Sequence, residues 1–347
     1  MKKTFAKIKA ISSYLPPTIE KNVDIAESRL NKKIGVIQRH VAQKDESAGD
    51  LAFAAAEKLF AEYDIDRHDA DFVLLCLQQP DYLMPHTSAI VQSQLGLHKN
   101  VGTMDITLGC SGYVYGLAVA KGLIETGLAK KILFLTSSVY LKYVNLKDKA
   151  NRLLMGDGAT ATWIEGEEDI SEGLSAFVFG TDGDNFDKMI IPVGGSKFLV
   201  RDNPEVFSFD EYKNYRSNYE MYMDGMAIAD FVFREVPPLV ENVLSKANLT
   251  RADLDYCVFH QSNKFLLENL RMKTELENVP YYNDISLTGN LASGSIPFAI
   301  EKIKNSSDVT NLKNVLLAGF GVGLSWAGCI ADLSGMFSKK GERNDQK

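Results

Sequence analysis

At 347 residues the chain is longer than one hydrophobic core usually serves, so two packed units in one body are the first expectation. Its 45% hydrophobic and 24% charged residues fit a soluble globular protein, and a net charge of −7 argues against a nucleic-acid footprint, which needs a clustered basic face, though an acidic partner could still dock on a local basic patch. No run reaches the roughly 18 apolar residues that cross a bilayer, and the start MKKTFAKIKAISSYLPP has no apolar stretch of a secretion signal, so no membrane is expected.

In chain order, short β-rich runs alternate with helical stretches, the pattern of a layered α/β fold. ESAGDLAFAAAEKLFAEY (46–63) reads as a helix and DFVLLCL (71–77) as a strand. DITLGCSGYVYGLAVAKGLIETG (105–127) then places Cys110 among small residues at the start of an apolar helix. KILFLTSS (131–138) and ATATWIE (159–165) read as strands. MAIADFVFREVPPLVENVLSKA (226–247) reads as a helix, with a kink or new start at Pro237 and Pro238 because each removes an N–H. DYCVFH (255–260) and NVLLAGF (314–320) are the last strands.

The order repeats. RHDADFVLLCLQQ (67–79) and TRADLDYCVFHQS (250–262) each follow a helix with an acidic turn and an apolar strand, so Asp69 and Asp71 match Asp253 and Asp255. KILFLTSS with GDGATATWIE is echoed by NVLLAGF with GVGLSWAGCIADL. Two generic α/β halves would share common turn chemistry, but here both order and turn residues recur. The expectation is duplication, with one half in 1–168 and the other in 169–347, packed face to face.

Cys76, Cys110, Cys257 and Cys329 are widely spaced, with no CxxC pair and no Cys/His cluster. They read as reduced thiols of a cytoplasmic protein, with neither a disulfide framework nor a metal site.

Three strand–helix junctions carry unusual chemistry, and in such folds ligands bind near them. A thiol at a helix start, as at Cys110, faces free backbone N–H groups that favour thiolate; a small core cysteine is the plainer alternative. His260 ends DYCVFH and occupies the repeat position held by Cys76 in the first half. It suits an acid, a base or a hydrogen-bond donor, or a satisfied structural histidine. Asn290, in LTGNLASGSIPFAIEKI (287–303), offers amide donors in a crowded turn and equally suits a turn former or helix cap. GFGVG (319–323) could cradle phosphate, stabilise an oxyanion or make a turn, but lacks the Lys and Ser/Thr of a phosphate loop.

In combination, YLPP near the start, the cysteine–glycine helix start, GDGA (156–159), HQSN (260–263), TGN with SIP (288–297) and the final glycine strand resemble β-ketoacyl-acyl carrier protein synthase III of the thiolase-like superfamily. The resemblance runs along nearly the whole chain. It implies a thiolase-like fold of two duplicated βαβαβαββ halves forming a layered α-β-α-β-α body. It also implies a Cys110, His260 and Asn290 triad, an oxyanion hole from the backbone N–H groups of Cys110 and Val322, and a homodimer without metal or redox cofactor. Chain-elongating relatives carry a second histidine at the Asn290 position, and thiolases another cysteine near the final glycines.

The implied reaction begins with acyl transfer to Cys110 from acyl-CoA or acyl carrier protein. A malonyl thioester then loses carbon dioxide while His260 and Asn290 hold its thioester oxygen, and its carbanion attacks the acyl-cysteine. Two other readings stand beside this condensation. Acyl-Cys110 could pass its group to an alcohol, amine or non-malonyl carbon, or the fold could serve as a non-catalytic module, against which the intact triad weighs.

Four departures from the family bear on substrate. Relatives that prime from acyl-CoA often stack adenine on an N-terminal tryptophan; ESRLNKKIGVIQRH has none, leaving Lys33 to meet a phosphate. Phe265 stands where relatives carry an arginine that docks carrier protein, leaving Lys264 and Arg271 as substitutes. Val322 replaces a usual glycine. Met84 occupies a position that in relatives reaches the partner subunit's acyl pocket, where a flexible side chain would admit varied acyl chains. These departures point to secondary or surface-polysaccharide metabolism rather than to the housekeeping start of fatty-acid synthesis.

Overall fold

A computed structural model describes residues 3–24, 28–168, 171–306 and 312–341. Its first large sheet comprises β1 (Thr4–Tyr14), β2 (Phe72–Cys76), β3 (Gly102–Ile106), β4 (Lys131–Ser138) and β5 (Gly158–Glu168). Their order is β1-β5-β4-β2-β3; β5 runs antiparallel to both neighbours, and β2 parallel to both of its own. The second sheet comprises β6 (Leu174–Thr181), β7 (Tyr256–Phe259), β8 (Val315–Gly321) and β9 (Ser325–Ala331). Its order, β6-β9-β8-β7, repeats the same directions. Where β3 would recur, Tyr281 makes a single parallel bridge to Cys257.

The repeated acidic turns do the same work in both halves. Asp71 accepts the backbone N–H groups of Lys130 and Lys131 at 2.7 and 2.9 Å, tying the start of β2 to β4. Asp255 accepts those of Lys313 and Asn314 at 2.9 and 2.8 Å, tying β7 to β8. A carboxylate satisfying two adjacent backbone donors fixes strand register at a sheet edge.

Strand periodicity builds the layers, because successive side chains face opposite ways. Leu74, Cys76, Ile132, Phe134, Val258, Val315 and Leu317 face a central layer made by α2 (Gly112–Glu125) and α5 (Ser295–Lys304). The alternate residues Val73, Leu75, Leu133 and Leu135 pack outward on α1 (Ala48–Glu62). Cys257, Phe259, Leu316 and Ala318 pack outward on α3 (Gly225–Ala247) and α4 (Lys264–Lys273). The result is the α-β-α-β-α stack, with every central strand buried on both faces.

Helix α3 runs as one element through Pro237 and Pro238, and the expected new start does not occur. Its buried face, from Phe231 through Val236 and Leu239 to Leu244, continues across both prolines. Each fully buried aliphatic or phenyl side chain contributes roughly 1.5–3 kcal/mol, so the face offsets two missing N–H bonds. Helix α1 is set by Ser47 and Asp50, which cap each other's backbone N–H.

Between β6 and α3 the chain makes an excursion that brings methionines beside the sheet junction. Met189–Ile190 pairs with Tyr222–Met223, and Met221 N–H donates to the Tyr143 carbonyl at 2.8 Å. The buried Arg216 anchors this segment to Asp148 at 2.9 Å and Asp210 at 2.6 Å.

Candidate active site

Cys110 lies in the tight turn before α2 rather than in its first turn. Gly112 N–H closes on the Gly109 carbonyl at 2.8 Å, and Ser111 is the residue that precedes the helix. The Ser111 hydroxyl pairs with Ser325 Oγ at 2.7 Å, joining the nucleophile turn to the other half. The backbone N–H groups of Cys110 itself and of Val322 favour the Cys110 thiolate. These are the two donors expected of an oxyanion hole. Burial nevertheless pushes the thiol up to about 12, and the two N–H groups recover only part of that. The thiolate expected from the helix start is therefore outweighed by desolvation in the free protein.

Close approach explains the final glycine strand. Gly319 and Gly321 share the inward face of Val315 and Leu317, where the Cys110 turn arrives. A Cβ at Gly319 would lie 2.7 Å from the Cys110 carbonyl oxygen, and one at Gly321 would lie 2.9 Å from Sγ. Val322 lays its side chain against Gly109; a Cβ there would meet Val322 Cγ1 at 2.5 Å, so the glycine before Cys110 gives that side chain room.

His260 follows β7 and falls by strand period on the inward face of Val258. Its N–H continues the ladder to the Ala318 carbonyl at 2.8 Å. Its Nδ1 lies 2.7 Å from Ser295 Oγ, and Phe320 packs edge-on against the ring at 5.6 Å. Burial drives the imidazole down to about 3, only partly opposed by the Ala292 backbone, so the ring is neutral at physiological pH.

Asn290 is fixed from both sides. Its N–H donates to the Leu154 carbonyl at 2.9 Å, and Gly156 N–H donates to its carbonyl at 3.0 Å. Its side-chain Oδ1 accepts the Ala292 N–H at 2.8 Å, which leaves the NH2 end for the site. The neighbouring Asp157, fully buried, accepts Ala42 N–H at 2.9 Å and Leu141 N–H at 3.1 Å. GDGA (156–159) thus acts as the clamp under Asn290.

Cys110, His260 and Asn290 line one cavity of about 260 Å³ together with Met189, Phe265 and Phe320. Gln78, Gln79, Tyr140, Met221 and Val322 line a second of about 190 Å³, and Met189 lines both. Lys264 lines a third, of about 510 Å³, with Lys32 rather than the exposed Lys33. Arg271 does not stand free to dock a partner: its guanidinium donates to the Leu276 carbonyl at 3.1 Å and lies 4.0 Å over the Tyr281 ring. Met84 is 83% exposed and lines none of these three cavities of its own chain.

Sequence reasoning missed Ser295, Gln78, Gln79 and Tyr140. Ser295 sits in a run that reads as a helix start. The two glutamines, polar residues directly after an apolar strand, were the available signal. No helix among the described residues is long and apolar enough to cross a membrane, and no group of three or more His, Cys, Asp or Glu among them could hold a metal ion.

Comparison with known proteins converges on one family. Models of 3-oxoacyl-[acyl-carrier-protein] synthase III and of its C-terminal part match residues 104–183 and 244–333, the stretches that carry Cys110 and then His260, Asn290 and Val322. The chain is 32% identical to a β-ketoacyl-[acyl-carrier-protein] synthase III of Fusobacterium nucleatum over 93% of this chain and 97% of that protein. It is 30% identical to one of Clostridioides difficile over 94% and 98%. A solved 3-oxoacyl-(acyl-carrier-protein) synthase III superposes with a TM-score of 0.91 at 36% identity, covering 94% of this chain and 99% of the other. The chain belongs to the 3-oxoacyl-[acyl-carrier-protein] synthase III family and is an acyltransferase of the thiolase-like fold.

Proposed function

We propose that Cys110, His260 and Asn290 carry out a decarboxylative condensation of an acyl thioester with malonyl-acyl carrier protein. The observation that carries this reading is their convergence on one cavity, with two backbone N–H groups that favour the thiolate. In the first step Sγ bonds to the acyl carbon, the bond to the carrier sulfur breaks, and the thiol proton ends on the carrier thiol. The N–H groups of Cys110 and Val322 hold the oxygen as charge develops. In the second step the malonyl carboxylate leaves as carbon dioxide, and the electron pair moves onto the thioester oxygen. His260 Nε2–H and the Asn290 NH2 face that enolate. Its carbon then attacks the acyl carbonyl, releasing Cys110 and a 3-oxoacyl thioester.

The named relatives support condensation over transfer to an alcohol, amine or other carbon. The chemistry assigned to these three side chains draws on no metal or redox group. Acyl carrier protein is the proposed partner, with Lys264 at the neighbouring cavity as a docking cation. The exposed Tyr82, Leu83 and Met84 support a homodimer in which this loop meets the second subunit. Four buried free thiols support a cytoplasmic setting. The missing N-terminal tryptophan together with Phe265, Val322 and Met84 favours a specialised pathway, against which efficient acetoacetyl-carrier protein synthesis from acetyl-CoA would count.

Mass spectrometry after mixing with acyl thioesters should show a gain lost in Cys110→Ala. Carbon dioxide release from labelled malonyl thioester tests the second step. His260→Ala should still take up the acyl group yet release no carbon dioxide; persisting decarboxylation would remove His260 from this role.

A further inference from the structure

The second cavity is polar where a simple alkyl chain needs an apolar wall. If His260 and Asn290 receive the malonyl thioester, as proposed above, the acyl group on Cys110 is left the second cavity, whose Gln78 and Val322 both abut Gly109 beside the nucleophile. That cavity, about 190 Å³, shares Met189 with the first and has Val322 in its wall. Met189, Ile190, Ile191, Met221 and Val322 supply its apolar part. Against them stand three buried or half-buried polar side chains. The Tyr140 hydroxyl donates to Gln78 Oε1, and Gln79 lines the cavity with them. Gln79 is only 5% exposed, and its Oε1 has no hydrogen-bond partner. A buried amide oxygen without a donor carries an uncompensated desolvation cost, and native proteins leave few such groups. A bound group that brings a donor would remove that cost.

We propose that the acyl group carried by Cys110 is a short hydroxyacyl chain whose hydroxyl donates to Gln79 Oε1 beside the Gln78–Tyr140 pair. A hydroxyl is favoured over an ammonium because no carboxylate lines the cavity to pair with a cation. The hydroxyl belongs near the carbonyl, because Gln79 follows Gln78 directly in the chain, and Gln78 Oε1 lies 2.8 Å from where a Cβ of Gly109 would stand, at the nucleophile's own turn. The small volume limits the chain to a few carbons. The transfer itself is unchanged: the bond to the carrier sulfur breaks as the bond to Sγ forms, and the thiol proton ends on the carrier sulfur.

The test compares 3-hydroxybutyryl and butyryl thioesters on one carrier, coenzyme A and then acyl carrier protein, by the rate of mass gain at Cys110. The hydroxylated donor should react on the order of 10- to 100-fold faster, the factor expected when a buried acceptor gains its partner. Gln79→Met, similar in shape but without the acceptor, should collapse that ratio toward one, with thermal melting reporting that it folds. Equal rates, or faster butyryl transfer, in the wild-type protein overturn this inference while leaving the condensing reading intact. No uptake from any acyl thioester, together with no carbon dioxide from malonyl thioester, overturns both.

Discussion

The Ser295 hydroxyl lies 2.7 Å from His260 Nδ1 and 2.9 Å from the Ala292 carbonyl, and its one hydrogen can serve only one of them at a time. Donation to Nδ1 leaves the hydrogen of the neutral ring on Nε2, the form that can stabilise an enolate. Ser295→Ala removes that hydroxyl and leaves Nδ1 to take the hydrogen and donate to the vacated Ala292 carbonyl. The ring then presents a bare Nε2 to the substrate. Carbon dioxide release should fall roughly 100-fold, the scale of losing one oxyanion donor, while acyl uptake by Cys110 holds. Nitrogen-15 spectra should show the tautomer shift. An unchanged tautomer with unchanged decarboxylation would assign Ser295 to packing alone.

The buried thiol sets a second expectation. With Cys110 pushed up to about 12, the free enzyme holds a protonated thiol at neutral pH, and His260, near 3, is neutral beside it. Alkylation of Cys110 by iodoacetamide should therefore climb steadily with pH through 9 without levelling off. A plateau with its midpoint below pH 8 would mean that the N–H groups and the helix end overcome burial.

Much of this was legible because it repeats or alternates. Asp71 and Asp255 announced equivalent strand starts, and period-two runs such as Ile132–Leu135 carried the layering. Cys110, His260 and Asn290 were each ambiguous alone, since a thiol, an imidazole and an amide all have ordinary structural uses; their combination made them candidates, and all three line one cavity. What stayed hidden depends on approach in space. The Ser295 hydroxyl is distinguished only by the ring it meets, and Arg271 only by the carbonyls around it. At Pro237 and Pro238 no new helix starts, because local preference is outweighed by a buried face that no short window contains.

The glycines of β8 separate stability from catalysis. Gly321→Ala puts a methyl group 2.9 Å from the Cys110 sulfur, so the thiol must move off its two N–H donors. Acyl uptake should drop about 100-fold, with a stability loss on the order of 1–3 kcal/mol from overpacking. Gly122→Ala in α2 is the contrast, because nothing lies within 4 Å of its added Cβ. There the helix should gain about 0.5–1 kcal/mol with uptake unaffected. Parallel urea unfolding and mass-gain measurements distinguish the two, and equal effects at both glycines would refute the close-approach account.

Asp157 couples acidity, stability and the position of Asn290. Its oxygens accept Ala42 and Leu141 N–H, so Asp157→Asn turns one acceptor into a donor facing another donor. The variant should lose on the order of 1–3 kcal/mol. Burial raises the native carboxyl to about 6, above its ordinary 3.8. Between pH 7 and 4 the folded protein therefore binds a proton that the unfolded chain does not, and this group's contribution grows more favourable as pH falls. The asparagine cannot titrate, so the stability gap between wild type and variant should widen from pH 7.5 to 5 in urea midpoints. A gap that narrows on acidification would show that the ionised carboxylate, rather than its protonated form, is the favoured native state. Because Gly156, next in the chain, donates to the Asn290 carbonyl at 3.0 Å, the same variant should slow decarboxylation more than acyl uptake.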